Sequence, residues 1–221
     1  MIGMILAAGR GERLRPLTDA LPKPLMDVGG RSLIEHHLER LQRGGVETVV
    51  VNLGWLGEQI VERIGSGAAY GLSVIYSPEY DNVLETGGGI RRALPMLGSE
   101  PFWVVNGDIY TDYALPGLTL DPASLGHLVL VPTPAYREGG DFDLAGGQVR
   151  NGPTRAHTFS GVAMYRPEMF ADRPVERFPL APLLRAAADR GLLGGELFAG
   201  RWADAGTPER LDELRASLAE A

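Results

Sequence analysis

The sequence predicts a single α/β domain: a mixed, mostly parallel sheet with helices on both faces. Three observations predict it. Apolar runs of strand length alternate with helical patterns in a βαβαβ order. The first run, Met1–Ala7, is apolar along its length, as a central strand buried on both faces requires. Polar sequences stand at strand ends, at Ala8–Arg13, Asn106-Gly107-Asp108 and Ala203-Asp204, where open α/β sheets collect their ligands.

Element by element, the helix expected over Leu33–Arg43 carries apolar residues at Leu33, Ile34, Leu38 and Leu41, with Ser32 as its N-cap and Gly44-Gly45 as its stop. Val46–Asn52 reads as a strand, Leu56–Ile64 as a helix and Leu72–Tyr76 as a short strand. Gly87–Leu97 has a helical pattern with glycines at its N-terminus, and strands follow at Phe102–Asn106 and Leu128–Pro132. The glycine-rich stretch from Pro134 to Arg155 reads as a hairpin-like excursion. Thr158–Arg166 returns as a strand, Pro179–Arg190 is an amphipathic helix, Gly195–Ala199 a strand and Pro208–Leu218 a closing helix. No repeat, linker or low-complexity block interrupts the chain, so one domain is expected over residues 1–221.

Bulk composition narrows the function classes. The chain has 221 residues, 44% hydrophobic and 22% charged, as in globular proteins. No run approaches the roughly 20 apolar residues that span a bilayer. The apolar N-terminus lacks a basic lead and runs into Gly9-Arg10-Gly11-Glu12-Arg13, so it reads as a first strand and not a signal peptide. The chain holds no cysteine, which excludes disulfide and thiolate chemistry and fits the cytoplasm. A net charge of −7 argues against nucleic acid as a partner. Positive charge is concentrated locally at Arg10, Arg13, Arg15 and Lys23. Twenty arginines accompany a single lysine, Lys23, a compact cation that differs chemically from arginine.

The strongest local signal is Leu6-Ala7-Ala8-Gly9-Arg10-Gly11-Glu12-Arg13. Small residues after a buried strand let the backbone approach a ligand, and consecutive loop N–H groups can nest phosphate oxygens. Arg13 can fork onto two oxygens of one phosphate. The third glycine of a dinucleotide fingerprint is replaced by Leu14, and the Gly-Lys-Ser/Thr of a P-loop is absent. Ten residues on, Pro22 and Pro24 stiffen the backbone around Lys23, which suits a cation aimed at a reacting phosphate. A plain βα turn and a proline-braced surface turn are the structural alternatives for these two segments. Val104-Val105-Asn106-Gly107-Asp108 ends an apolar strand in a carboxylate, the type of ligand that hard Mg2+ prefers.

Gly9-x-Gly11-x-Arg13 followed by Pro22-Lys23-Pro24 resembles the signature of the sugar-1-phosphate nucleotidyltransferases, and the resemblance covers essentially the whole chain. It implies a Rossmann-like, GT-A-like nucleotidyltransferase fold, an NTP and a sugar 1-phosphate as substrates, and Mg2+ as cofactor. Trp202-Ala203-Asp204-Ala205-Gly206-Thr207 is similar to the family's late motif, which makes Asp204 a second metal ligand beside Asp108. Leu6, Ala7, Ala8, Gly9, Gly11, Glu12, Arg13 and Lys23 would bind nucleotide, joined at the base by Glu85, Thr86, Gly87 and Gly88 from Leu84–Gly89. Asn106, Asp141, Thr158, Ser160 and Gly161 fall where the family holds the sugar phosphate. The nucleotide part would cover about residues 1–110, the sugar part about 111–206, with a closing helix over 207–221. At closer range Trp55-Leu56-Gly57, Asp112-Tyr113, Gly140-Asp141-Phe142 and Leu180–Leu184 resemble the branch that uses UTP and N-acetylmuramate 1-phosphate in cell-wall recycling. Many relatives place a second lysine on the sugar phosphate, and this chain has none; Arg137 and Arg155 are candidates to cover that charge.

In the reaction so implied, Arg13 holds the leaving phosphates, Lys23 stabilises charge on the α-phosphate, and catalysis is positioning plus neutralisation. The sequence leaves open another pair of substrates, such as GTP with mannose 1-phosphate. It also leaves open a noncatalytic nucleotide-binding subunit and a glycosyltransferase of similar fold, whose Asp-x-Asp motif Asn106-Gly107-Asp108 matches only in part. Oligomeric state stays open as well, with a monomer favoured.

Overall fold

The computed structural model describes residues 1–80 and 83–219. Its first half runs β1 (Ile2–Leu6), α1 (Leu17–Ala20), β2 (Asp27–Val28), β3 (Arg31–Ser32), α2 (Leu33–Arg43), β4 (Thr48–Leu53), α3 (Gly57–Ile64), β5 (Ser73–Pro78), α4 (Glu85–Leu97), β6 (Phe102–Asn106) and β7 (Ile109–Thr111). The second half runs β8 (Gly126–Pro132), β9 (Asp143–Ala145), β10 (Gln148–Arg150), β11 (His157–Tyr165), α5 (Glu168–Ala171), α6 (Leu180–Asp189), β12 (Leu193–Leu197), β13 (Trp202–Asp204) and α7 (Pro208–Ala219). The closing helix expected to residue 221 is described as far as Ala219.

Nine strands form one mixed sheet in the order β5-β4-β1-β6-β11-β8-β12-β10-β9. β5, β4, β1 and β6 are mutually parallel. β11 enters antiparallel between β6 and β8, β12 is parallel to β8, and the β9–β10 hairpin closes the far edge. The chain passes from β1 outward to β4 and β5, then returns to the other side of β1 as β6. That reversal is a topological switch point, and it opens a crevice at the carboxyl ends of the strands. Register puts Leu6 beside Asn52 on one side and Asn106 on the other, so three strand ends meet there.

Both faces of the central strands are buried. On β1, Ile5 packs with α2 and α3 residues such as Leu38 and Ile60, while Met4 packs on the opposite face with Ile90 and Leu184. Removing a side chain of this size from water contributes about 1.5–3 kcal/mol each. A third cluster, with Leu14, Met26, Leu33, Leu211 and Leu214, seats α7 beside the phosphate-loop segment. Ser32 caps α2 as expected, in a capping box completed by Glu35. Glu35 also accepts from Tyr70 and Arg63. Burial raises its pKa, but these hydrogen bonds outweigh that and bring it down to about 2.

Helix α2 and strand β6 keep the bounds expected from sequence, and most other elements differ by one to three residues at an end. β12 begins two residues earlier than expected because fully buried Leu193 pairs with Gly126. The short ribbons β2–β3 and β7–β13 were not legible in the sequence, since two- and three-residue strands carry no period and exist by pairing.

Candidate active site

A cavity of about 430 Å³ lies at the switch point. Its wall contains Leu6, Ala7, Ala8, Gly9, Gly11, Glu12, Arg13, Lys23, Glu85, Thr86, Asn106 and Asp108, all of them singled out from sequence. Among the described residues the N–H groups of Gly9, Arg10 and Gly11 find no protein acceptor, which leaves them open to water or to an anionic ligand. Gly11 has φ +67°, and a Cβ there would meet Thr18 Cγ2 at 3.0 Å and Lys23 Cβ at 3.3 Å. Glycine is thus required both by the backbone and by the lysine segment packed against it. Thr18 Oγ1 donates to the Gly11 carbonyl at 2.9 Å and closes the loop.

Sequence reasoning missed a buried polar pair in the wall. Asn52, 3% exposed, accepts from Ala7 N at 2.7 Å and donates to Glu79 Oε1 at 2.9 Å. Glu79, 1% exposed, accepts Leu84 N on its other oxygen at 2.9 Å. The pair ties the phosphate loop to the start of α4. A polar residue near the end of the apolar strand Thr48–Leu53 was a signal that Asn52 shares with Asn106; Glu79 carried none.

At the base end the structure departs from expectation. Gly87 and Gly88 do not line the cavity: both N–H groups donate to the Phe178 carbonyl at 3.1 Å. A Cβ on Gly87 would lie 2.3 Å from the Phe178 ring, and one on Gly88 2.2 Å from the Glu176 carbonyl oxygen. These glycines are needed for close packing of the 176–178 segment on α4, so their N–H groups are not free to read a base. Helix α4 starts at Glu85, whose φ of +60° is a left-handed conformation unusual for a glutamate.

Lys23 is buried at 6% exposure in a short 3-10 turn, Lys23–Leu25, flanked by Pro22 in extended conformation. Its Nζ donates to Asp108 Oδ2 at 2.8 Å. Asp108 is stitched to the other candidate carboxylate: Ala205 N donates to the Asp108 carbonyl at 2.9 Å, and Asp204 pairs with Ile109 in the β7–β13 ribbon. Asp204 Oδ1 accepts from Gly206 N and Arg210 Nη1, and Oδ2 from Tyr136 hydroxyl at 2.6 Å. Burial raises the Asp204 pKa, but the Tyr136 and Arg210 hydrogen bonds and the Arg210 charge outweigh it, and the net direction is down. Among the described residues no group of three or more His, Asp or Glu side chains gathers. Asp108, in the turn before β7, lines the cavity, and Asp204, at the end of β13, lies just outside its lining. Two carboxylates so placed fit Mg2+, which takes one or two protein oxygens and completes its shell from phosphates and water.

The sugar-side residues sit beyond Asn106, outside the lining of this cavity apart from Asn106 itself. Gly161, at φ +85° in a bulge of β11, packs on Asn106: a Cβ there would lie 2.7 Å from Asn106 Nδ2. Asp141 takes two hydrogen bonds from Arg137, at 3.0 and 3.1 Å, and one from Phe159 N. Thr158 and Ser160 are buried; Thr158 Oγ1 accepts from Arg137, and the Ser160 carbonyl accepts from Trp202 Nε1. Arg137 thus has its charge countered by Asp141, whereas Arg155 forms no ion pair among the described residues.

Residues 2–131 match the family described as Nucleotidyl transferase. The chain is 47% identical to the N-acetylmuramate alpha-1-phosphate uridylyltransferase of Neisseria meningitidis serogroup B, across 98% of this chain and 97% of that protein. It is 37% identical to the enzyme of the same name from Caulobacter vibrioides, across 100% of this chain and 98% of that one. The solved structure of the inositol-1-phosphate CTP transferase from T. maritima superposes with a TM-score of 0.79 at 19% identity, across 100% of this chain and 96% of that one. That last likeness is one of fold.

Proposed function

The chain belongs to the nucleotidyl transferase family, and we propose that it transfers UMP from UTP to N-acetylmuramate 1-phosphate, forming UDP-N-acetylmuramate and pyrophosphate. The observation that carries the reading is the convergence of the acceptor-free loop N–H groups, Arg13, Lys23 and Asp108 on one cavity at the switch point. An oxygen of the sugar phosphate forms a bond to the α-phosphorus as the bond from that phosphorus to the pyrophosphate oxygen breaks. The attacking oxygen is already ionised at neutral pH, so no general base is needed; the obstacle is repulsion between anions. The loop N–H groups and Arg13 would hold the β- and γ-phosphates. Lys23 would stabilise charge on the α-phosphate, exchanging its bond to Asp108 for one to the phosphate. A magnesium ion held by Asp108 and Asp204 would supply further neutralisation of the polyphosphate when bound.

Asn106 and the Asp141–Thr158–Gly161 region would hold the sugar phosphate, giving a nucleotide part over about residues 1–110 and a sugar part over about 111–206. The product would feed cell-wall recycling in the cytoplasm, where UTP is supplied. The lactyl carboxylate of the muramyl group is an extra anion, and Arg155 offers it a cation without an ion-pair partner among the described residues. The test is pyrophosphate release across four NTPs and several sugar 1-phosphates, with and without EDTA. UTP with N-acetylmuramate 1-phosphate should lead by at least tenfold, and EDTA should abolish turnover. A preference for GTP with mannose 1-phosphate would overturn the substrate pair and leave the reaction class standing.

A further inference from the structure

Arg210, in the first turn of α7, does not itself line the cavity but lies behind Gly206, which does. Its Nη1 donates to Asp204 Oδ1 at 2.7 Å, and its guanidinium carbon lies 3.7 Å from the centroid of the Tyr136 ring. Tyr136 donates its hydroxyl to the other oxygen of Asp204. Stacking fixes the plane of the guanidinium, and a fixed plane aims its edge. The edge of an arginine carries five N–H groups. Among the described residues only those on Nη1 have an acceptor, and the side chain is only 23% exposed.

Gly206 places the guanidinium beside the cavity. A Cβ on Gly206 would lie 3.0 Å from Arg210 Nη1, 3.4 Å from Arg13 Nη2 and 2.5 Å from Asp204 Oδ1. Gly206 and Arg13 both line the cavity. Two guanidinium groups therefore close on one spot with the Asp204 carboxylate beside them, and two positive charges against one negative leave an excess that an anion would satisfy. A side chain at 206 would fill the spot, so the glycine keeps it open.

We propose that Arg210 is a further phosphate-binding residue of this site. Asp204 holds it in the free protein, Tyr136 keeps its plane, and its free N–H donors take oxygens of a substrate phosphate. The inference rests on the nucleotidyltransferase reading above. The phosphate is that of the NTP or of the sugar 1-phosphate, groups of the same chemistry that separate titrations distinguish.

The test is calorimetric titration of the full chain in EDTA with UTP and, separately, with N-acetylmuramate 1-phosphate, for the unmodified protein, Arg210→Gln and Arg210→Lys. Arg210→Gln should bind at least one ligand about tenfold more weakly, the loss expected for a charge-assisted hydrogen bond. Arg210→Lys keeps the charge without the fork and should lose about threefold with the same ligand. The ligand affected identifies the phosphate. Should Arg210→Gln fail to fold, Arg210→Lys carries the test alone. Unchanged affinity for both ligands in folded variants overturns the proposal and leaves Arg210 as a brace for Asp204. Failure of the unmodified protein to bind either ligand, with or without Mg2+, would instead sink the nucleotidyltransferase reading itself.

Discussion

On the proposed nucleotide wall, Gly9, Arg10 and Gly11 present N–H groups with no acceptor among the described residues; on the proposed sugar wall, Arg137 with Asp141 and Tyr136 and Arg210 with Asp204 are bonded to one another. The first wall is built from backbone at the ends of parallel strands, braced from behind by the buried Asn52–Glu79 pair. The second is built from side chains on an excursion, a three-residue ribbon and the first turn of α7. Backbone held by a sheet stays preorganised without a ligand. Side chains clustered outside the sheet neutralise one another, and a substrate would have to replace those partners. NTP binding should therefore need little rearrangement, and sugar-phosphate binding should proceed by exchange of partners.

The sharpest break in this comparison is at Lys23, whose bond to Asp108 lies in the wall of the cavity. Lys23→Ala should lower kcat by a few hundredfold, on the order of 3 kcal/mol, with the fold intact. Steady-state kinetics alongside a thermal melt checks it, and normal turnover in a folded variant would remove Lys23 from the reaction. Next comes Glu79→Gln. Both Glu79 oxygens accept hydrogen bonds, so an amide must turn its NH2 toward a donor, either Leu84 N or Asn52 Nδ2. Urea unfolding should show a loss of about 1–3 kcal/mol, and KM for UTP should rise while KM for the sugar phosphate stays put. A rise in both would mean that the walls are not independent.

Arg137→Ala releases Asp141 from its two-pronged partner. KM for the sugar 1-phosphate should rise several-fold and KM for UTP should not move; the reverse pattern would reassign the excursion to the nucleotide. The smallest effect is on pH-dependent stability. Because the Asp204 pKa is lowered on folding, the clasp stabilises the protein above the ordinary carboxylate pKa, and that contribution disappears as pH falls through the lowered value. Acid titrations of the unmodified protein and of Asp204→Asn should diverge at neutral pH and converge in strong acid. Parallel curves would show that the clasp contributes nothing to stability.

The lining of the cavity was largely legible in the sequence and the cluster around Asp141 only in part, for the same physical reason. A phosphate loop needs small residues at fixed offsets after a buried strand, and Ala7, Ala8, Gly9 and Gly11 are contiguous with β1. Asp141, Thr158 and Ser160 could be named only by resemblance, and no local pattern announced that Arg137 would cover Asp141. Gly87 and Gly88 misled because a glycine needed for close approach looks the same whether a base or the Phe178 carbonyl approaches it.

By itself, the sequence determined the alternation of strands and helices, the strand-end motifs, and the chemistry of a lone lysine braced by prolines, since each depends on neighbours within a few residues. Only the tertiary structure decided which charges meet. Lys23 reaches Asp108 across 85 residues, Tyr136 reaches Asp204 across 68, and Asn52 reaches Ala7 across 45. Those pairings depend on the register of β1, β4 and β6 and on the β7–β13 ribbon, and in strands buried on both faces register is set by how neighbouring strands and helices pack together rather than by any local run of residues.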